Sequence, residues 1–259
     1  MMIIGFTSPK GGDGATFVSA NIAYMLSVKE NKCLCVDMNA QKRTLDLNFG
    51  TSDNFVFDLN DVFESNCTFD EAVIKNLFGL NLDFITSSQT KAYQISHYAK
   101  IFDIIKSQTM YDYVVVDIPS YMIDDVCDYI DMLIFVSSST EVSVRCIEKQ
   151  AYNLKSCNNV YLIANKIIPE LISDNICVNI DDMCDRAGIK PIGIIPFEPE
   201  VVVYEKRGIP SSSSKLLRSS QAIDNIAERI LGKKVNALDF NYKSIHYKNI
   251  KKHLRQEAE

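Results

Sequence analysis

Residues 3–16 read Ile3-Ile4-Gly5-Phe6-Thr7-Ser8-Pro9-Lys10-Gly11-Gly12-Asp13-Gly14-Ala15-Thr16, and this stretch decides the fold. A short apolar, β-branched run passes straight into a glycine-rich turn, and a helical pattern begins at once beyond it. A turn of this kind between a buried strand and a helix gathers several backbone N–H groups in one concavity, at the positive end of the helix dipole. Phosphate oxygens need both features. Gly11, Gly12 and Gly14 let the backbone approach with no Cβ in the way. Thr16, in the first helical turn, is placed to ligate a magnesium ion that bridges phosphates.

Outward from this loop, short apolar runs at 33–37, 82–86, 113–117, 132–136, 160–165 and 192–195 alternate with helix-period segments near 15–29, 68–78, 93–108, 141–156, 176–187 and 215–231. Near-continuous apolar strands are buried on both faces, as in a parallel sheet covered by helices. The expected fold is α/β: a doubly wound, mostly parallel sheet with helices on both faces, spanning residues 1–231. Thr68-Phe69-Asp70-Glu71 has the form of a capping box opening the 68–78 helix. The serine run at 211–214 reads as a mobile polar loop.

The 259 residues are 47% apolar and 23% charged, a globular composition that excludes wholesale disorder. The longest apolar run, residues 132–136, is strand-sized and far short of the ~18 residues of a membrane span. The chain opens with neither a basic region nor a cleavable apolar stretch, so no secretory signal is expected. The eight cysteines form no Cys-x-x-Cys pair and several lie in apolar stretches. They read as reduced, mostly buried thiols of a cytoplasmic protein.

A net charge of −6 argues against a surface coated in basic residues for nucleic acid. The charge is uneven, however. Residues 232–259 hold seven Lys and Arg against three acids, whereas the preceding 231 residues hold 20 against 30. This basic tail has helical spacing with a narrow apolar stripe of Phe240, Tyr247, Ile250 and Leu254. Three readings stay open for it: a solvated or partner-docking helix, a contact with anionic membrane, and a nucleic-acid contact.

The loop Lys10-Gly11-Gly12-Asp13-Gly14-Ala15-Thr16 resembles the deviant phosphate loop of the MinD/ParA family of dimeric ATPases, normally Lys-Gly-Gly-x-Gly-Lys-Thr. Further segments extend the resemblance. Val36-Asp37-Met38-Asn39 with Leu45-Asp46-Leu47 looks like the family's second-strand Asp-x-Asp and Leu-Asp-Leu. Residues 113–119, ending Asp117-Ile118-Pro119, look like its switch II strand. Thr140–Arg145, Asn165-Lys166, Ile195-Pro196-Phe197-Glu198-Pro199 and Arg207-Gly208-Ile209-Pro210 match later segments in order.

The resemblance implies ATP and Mg2+ as cofactors and a homodimer bridged by nucleotide. Lys10 would reach the phosphates held by the partner. Nucleotide contacts are expected from Lys10, Gly11, Gly12, Asp13, Gly14, Ala15, Thr16 and Phe17, and from Asn165, Lys166, Pro196, Phe197 and Glu198. Magnesium would lie at Thr16, Asp37 and Asp117. The catalytic residues would be Lys10, Asp37 and Asn39, with Asp46 ordering a loop.

Two departures from the family pattern bear on mechanism. Ala15 replaces a lysine whose charge-assisted hydrogen bonds to phosphate contribute roughly 1.5–3 kcal/mol. Asn39 replaces an aspartate, and an amide can position a water but cannot accept its proton. Asp13, beside the cradle, would add a like charge. The expected function is an ATP-dependent dimerising positioning or assembly factor with weak or absent hydrolysis. The alanine variant is similar to the CpaE/TadZ-like proteins of Flp/Tad pilus assembly, so the protein partner would belong to pilus or division machinery. The alternatives are a ParA-type DNA-partition ATPase and a nucleotide-free pseudo-ATPase binding module. The protein would be cytoplasmic, peripheral at the inner face of the cell membrane if its tail binds lipid.

Overall fold

The computed structural model describes residues 1–40, 42–52, 54–88, 95–154, 157, 159–236 and 238. Among them, seven strands form one sheet: β1 (Met2–Thr7), β2 (Cys33–Asp37), β3 (Leu82–Ile85), β4 (Tyr113–Asp117), β5 (Met132–Ser137), β6 (Val160–Ile167) and β7 (Lys190–Pro196). Their spatial order is β3-β2-β4-β1-β5-β6-β7, and every neighbouring pair is parallel. Parallel strands need crossovers, and the helical segments between them supply these on both faces.

Each apolar run feeds both faces because side chains alternate along a strand. Ile4, Cys35, Val115 and Ile134 point to one face, where the helices Ala15–Val28 and Arg218–Ile230 cover them. Ile3, Leu34 and Val114 point to the other, under Ile101, Phe102 and Ile105 of the helix Ile95–Ser107. On the β5–β7 half of that second face, Leu133, Phe135 and Leu162 lie beneath Val144, Ile147 and Met183. The doubly wound fold is as the sequence predicts.

Four local expectations are corrected. The 68–78 helix is only Phe69–Ala72, because Val73 turns extended and Ile74 exchanges two 2.9 Å backbone hydrogen bonds with Phe84. The β-branched pair Val73-Ile74 favours that conformation over helix. The Glu71 carboxylate still accepts from the Thr68 amide at 2.8 Å and hydroxyl at 2.7 Å. The 176–187 helix begins only at Ile180, since the Val178 amide is taken by the Ser139 carbonyl.

The serine run is no mobile loop. Ser211–Ser213 is a 3-10 turn in which Ser211 and Ser212 are buried. The Ser212 amide donates to Asn21 Oδ1 at 2.8 Å and the Ser220 hydroxyl to the Ser211 carbonyl at 2.6 Å, so polar groups are satisfied inside. Nor are all eight thiols reduced: Cys127 and Cys157 form a disulfide, with Cα atoms 5.5 Å apart. Cys127 precedes β5 and Cys157 precedes its neighbour β6, so the sheet brings them together at one edge of the strands. Cys33 and Cys184 remain free, and burial pushes each thiol up to about 12.

The basic-tail helix falls at residues outside those described, apart from 232–236 and 238. No described helix is long and apolar enough to cross a membrane.

Candidate functional site

Three strands end side by side at the carboxyl edge of the sheet. Register pairs Phe6 and Asp37 with Asp117, so the loop after β1 and both aspartates meet there. That edge is where open α/β sheets bind ligands. The loop encloses a cavity of about 890 Å³, large enough for a nucleotide, whose lining includes Lys10, Gly12, Ala15, Thr16, Asn39 and Asp117.

Gly14 shows why the loop needs glycine. Its φ is +98°, and a Cβ there would lie 2.5 Å from Asn165 Nδ2. That amide donates instead to the Asp13 carbonyl at 2.8 Å, and Lys166 Nζ donates to the Gly12 carbonyl at 2.8 Å. The loop is therefore fastened from the end of β6 through two of its carbonyls, while within it the Gly11 amide donates to the Ser8 carbonyl at 3.2 Å.

Asp13 is buried, but its carboxylate does not project into the cavity as a free like charge. Oδ1 accepts from the Ser138 and Ser143 hydroxyls at 2.9 and 3.2 Å, with Lys10 Nζ 3.5 Å away. The like charge expected at Asp13 thus lies outside the cavity lining, turned toward two hydroxyls and Lys10.

The structure brings Thr16, Asp37 and Asp117 together. The Thr16 hydroxyl donates to Asp117 Oδ2 at 2.7 Å. Asp37 Oδ1 accepts from the Asn39 amide at 2.7 Å, while Asp37 Oδ2 is buried with no hydrogen-bond donor. Burial holds both carboxyls above the usual carboxylate range, and for Asp117 the neighbouring Asp37 charge adds to the effect. Two buried carboxylates, one with an orphaned oxygen, beside a hydroxyl fit a small hard cation with oxygen ligands. The described residues hold no group of three His, Cys, Asp or Glu able to chelate alone, so water and phosphate oxygens would complete its shell.

The turn after β2 forms the opposite wall. Amides of Lys42 and Arg43 both donate to the Asn39 carbonyl, at 3.1 and 2.7 Å. Arg43 and Asp46, both buried, pair at 3.4 Å, and the Arg43 guanidinium lies 4.0 Å over the Phe55 ring. Asp46 thus orders a loop, as expected. Farther on, Gly50 and Gly208 sit backbone to backbone, a contact that a Cβ on either would crowd.

Not every expected residue lines this cavity. Asn165 and Lys166 are engaged with loop carbonyls, and Pro196, Phe197 and Glu198 lie outside the lining. Glu198 instead accepts the Arg218 and Ser219 amides at 3.0 and 2.8 Å, opening the helix Arg218–Ile230. Lys42, Tyr121 and Arg207 line the cavity and were not singled out as site residues from the sequence. For Arg207 the Arg-Gly-Ile-Pro segment was the available signal; for Lys42 and Tyr121 there was none.

Residues 1–168 match an AAA domain family, AAA_31. The MinD in the MinC:MinD cell division protein complex of Aquifex aeolicus is 28% identical, with a TM-score of 0.86, covering 93% of this chain and 100% of that one. The chain belongs to the MinD/ParA family. Among its relatives, the septum site-determining protein MinD of Helicobacter pylori is 28% identical over 255 residues, which span 93% of this chain and 95% of that protein. MinD of Pyrococcus horikoshii, solved with Mg-ADP, shares the fold at 22% identity and a TM-score of 0.73, covering 88% of this chain and 95% of that one.

Proposed function

We propose that this chain binds Mg-ATP in the cavity, dimerises on it, and serves as a positioning factor of the MinD kind with slow or absent hydrolysis. The observation that carries this reading is the cluster of Thr16, Asp117 and the orphaned Asp37 oxygen under the glycine loop. Loop amides would hold phosphate oxygens, and the acidic pair would hold magnesium, which neutralises charge that gathers on the phosphates. Asn39, on the cavity wall, can orient a water and cannot take its proton. With no carboxylate at Asn39 to take that proton, hydrolysis is slow and nucleotide acts as a clamp between two copies.

Lys10 would serve the partner's phosphates in that dimer. The partner proteins belong with division-site positioning machinery, as for the relatives. Ala15 favours a pilus-assembly role of the CpaE/TadZ-like kind as the second reading. The acidic body disfavours DNA partition.

Mass determination in solution with and without Mg-ATP, alongside a binding titration and a turnover assay, tests the reading. The expected result is binding, a doubled mass with nucleotide, and turnover well below ~1 per second, the low end of typical enzymes. Absence of binding would move the chain to the pseudo-ATPase module. Fast turnover would remove the clamp.

A further inference from the structure

Ala15 leaves the cradle short of a positive charge, yet a cation sits over it from another element. Lys42, on the turn after β2, lines the same cavity as Gly11, Gly12, Ala15 and Thr16. Its Nζ lies so close to the glycine turn that a methyl group built on Gly11 would come within 3.4 Å of it. Gly11 has φ +74°, so its backbone is turned in a way glycine tolerates and the space above it is kept open for that ammonium.

The other lysines at the loop are engaged. Lys10 Nζ is 3.5 Å from Asp13 Oδ1, and Lys166 Nζ donates to the Gly12 carbonyl. Lys42 makes no ion pair among the described residues. Its charge nevertheless reaches Asp117, lowering that carboxyl against the upward push of burial. The turn that carries Lys42 is built rather than loose. Asp37 Oδ1 takes the amide at its start, the Asn39 carbonyl takes two amides within it, and the Arg43–Asp46 pair closes it.

We propose that Lys42 supplies to the nucleotide phosphates the positive charge that Ala15 withholds, so that the cation has moved from the loop after β1 to the turn after β2. A lysine is a compact, hydrated point charge on a flexible stem, and it can meet phosphate oxygens from either wall of a cavity. This assignment rests on the reading of the cavity as a Mg-ATP site.

A double-mutant cycle tests it, read by equilibrium titration of Mg-ATP and of AMP into wild type, Lys42→Ala, Ala15→Lys and the double variant. Lys42→Ala is expected to weaken Mg-ATP roughly 10- to 100-fold, the loss of one charge-assisted contact. Its effect on AMP, which lacks the outer phosphates, should be under about 3-fold. In the Ala15→Lys background the same substitution should change Mg-ATP affinity by less than about 3-fold, because one cation then replaces the other. Thermal melting of Lys42→Ala should match wild type, since the side chain is exposed.

Two results would overturn the assignment while leaving the function reading intact: wild type and Lys42→Ala binding Mg-ATP equally, or Ala15→Lys failing to compensate. A wild type that binds no Mg-ATP would overturn both.

Discussion

Two loops face each other across the cavity, and they are held in opposite ways. The glycine loop after β1 is fastened from outside: Asn165 and Lys166 grip its carbonyls, and Ser138 and Ser143 grip Asp13. The turn after β2 is fastened from within, by the Asn39 carbonyl and the Arg43–Asp46 pair. The first supplies shape and carries Ala15, while the second brings the ammonium of Lys42 over Gly11, which we propose supplies the charge. Backbone geometry and charge are therefore separable requirements of a phosphate site, and they can sit on different elements.

The sharpest way to break the first loop is Gly14→Ala. The methyl meets Asn165 Nδ2 at 2.5 Å, at a φ of +98° that an L side chain resists. Mg-ATP affinity should fall roughly 100-fold or more as the amides leave their alignment, read by titration. A variant that binds normally would show that the loop's shape is not the source of affinity.

Breaking the second loop should do less to binding and more to stability. Arg43→Ala leaves Asp46 buried without its partner, a loss of about 3 kcal/mol in urea unfolding. Because the turn still has its backbone bonds, Mg-ATP affinity should drop only ~10-fold. Equal losses for Gly14→Ala and Arg43→Ala would erase the distinction between an externally and an internally fixed loop.

The smallest effect lies in the acidic pair between them. Burial raises Asp37 and Asp117, so the folded protein holds protons that the unfolded chain releases near its ordinary value of about 4. Their contribution to the stability of the nucleotide-free protein is therefore fully present below that value and is lost as pH rises through the raised ones. Asp37→Asn removes one of the two buried charges. Its melting temperature should lie roughly 2–4 °C above wild type at neutral pH, and the gap should close on acidification. A gap that stays constant with pH would place its cause outside the aspartates.

Much of this was legible beforehand. Apolar runs of strand length located all seven strands to within two residues or so at either end, because each run must fill both faces of the sheet. The meeting of the glycine loop, Thr16, Asp37 and Asp117 was legible because residues at the ends of neighbouring parallel strands gather at one edge of the sheet. What joins distant segments was not. Nothing local marks Ser138 and Ser143 as partners of Asp13, or Lys42 as a neighbour of Gly11, since only strand order sets those meetings. Glu198 was misplaced for a related reason: a carboxylate near a nucleotide loop and one capping the next helix look alike until the chain is folded. The serine run misled because composition reports polarity, not whether hydroxyls find partners indoors.

The contact between Gly50 and Gly208 gives these two loops a mechanical outlet. No side chain cushions it, so main chain rests directly on main chain. Tightly packed contacts pass displacement on instead of absorbing it. A displacement of Gly50, which ends the helix Leu45–Phe49, would therefore be felt at Gly208, which ends the helix Val201–Arg207.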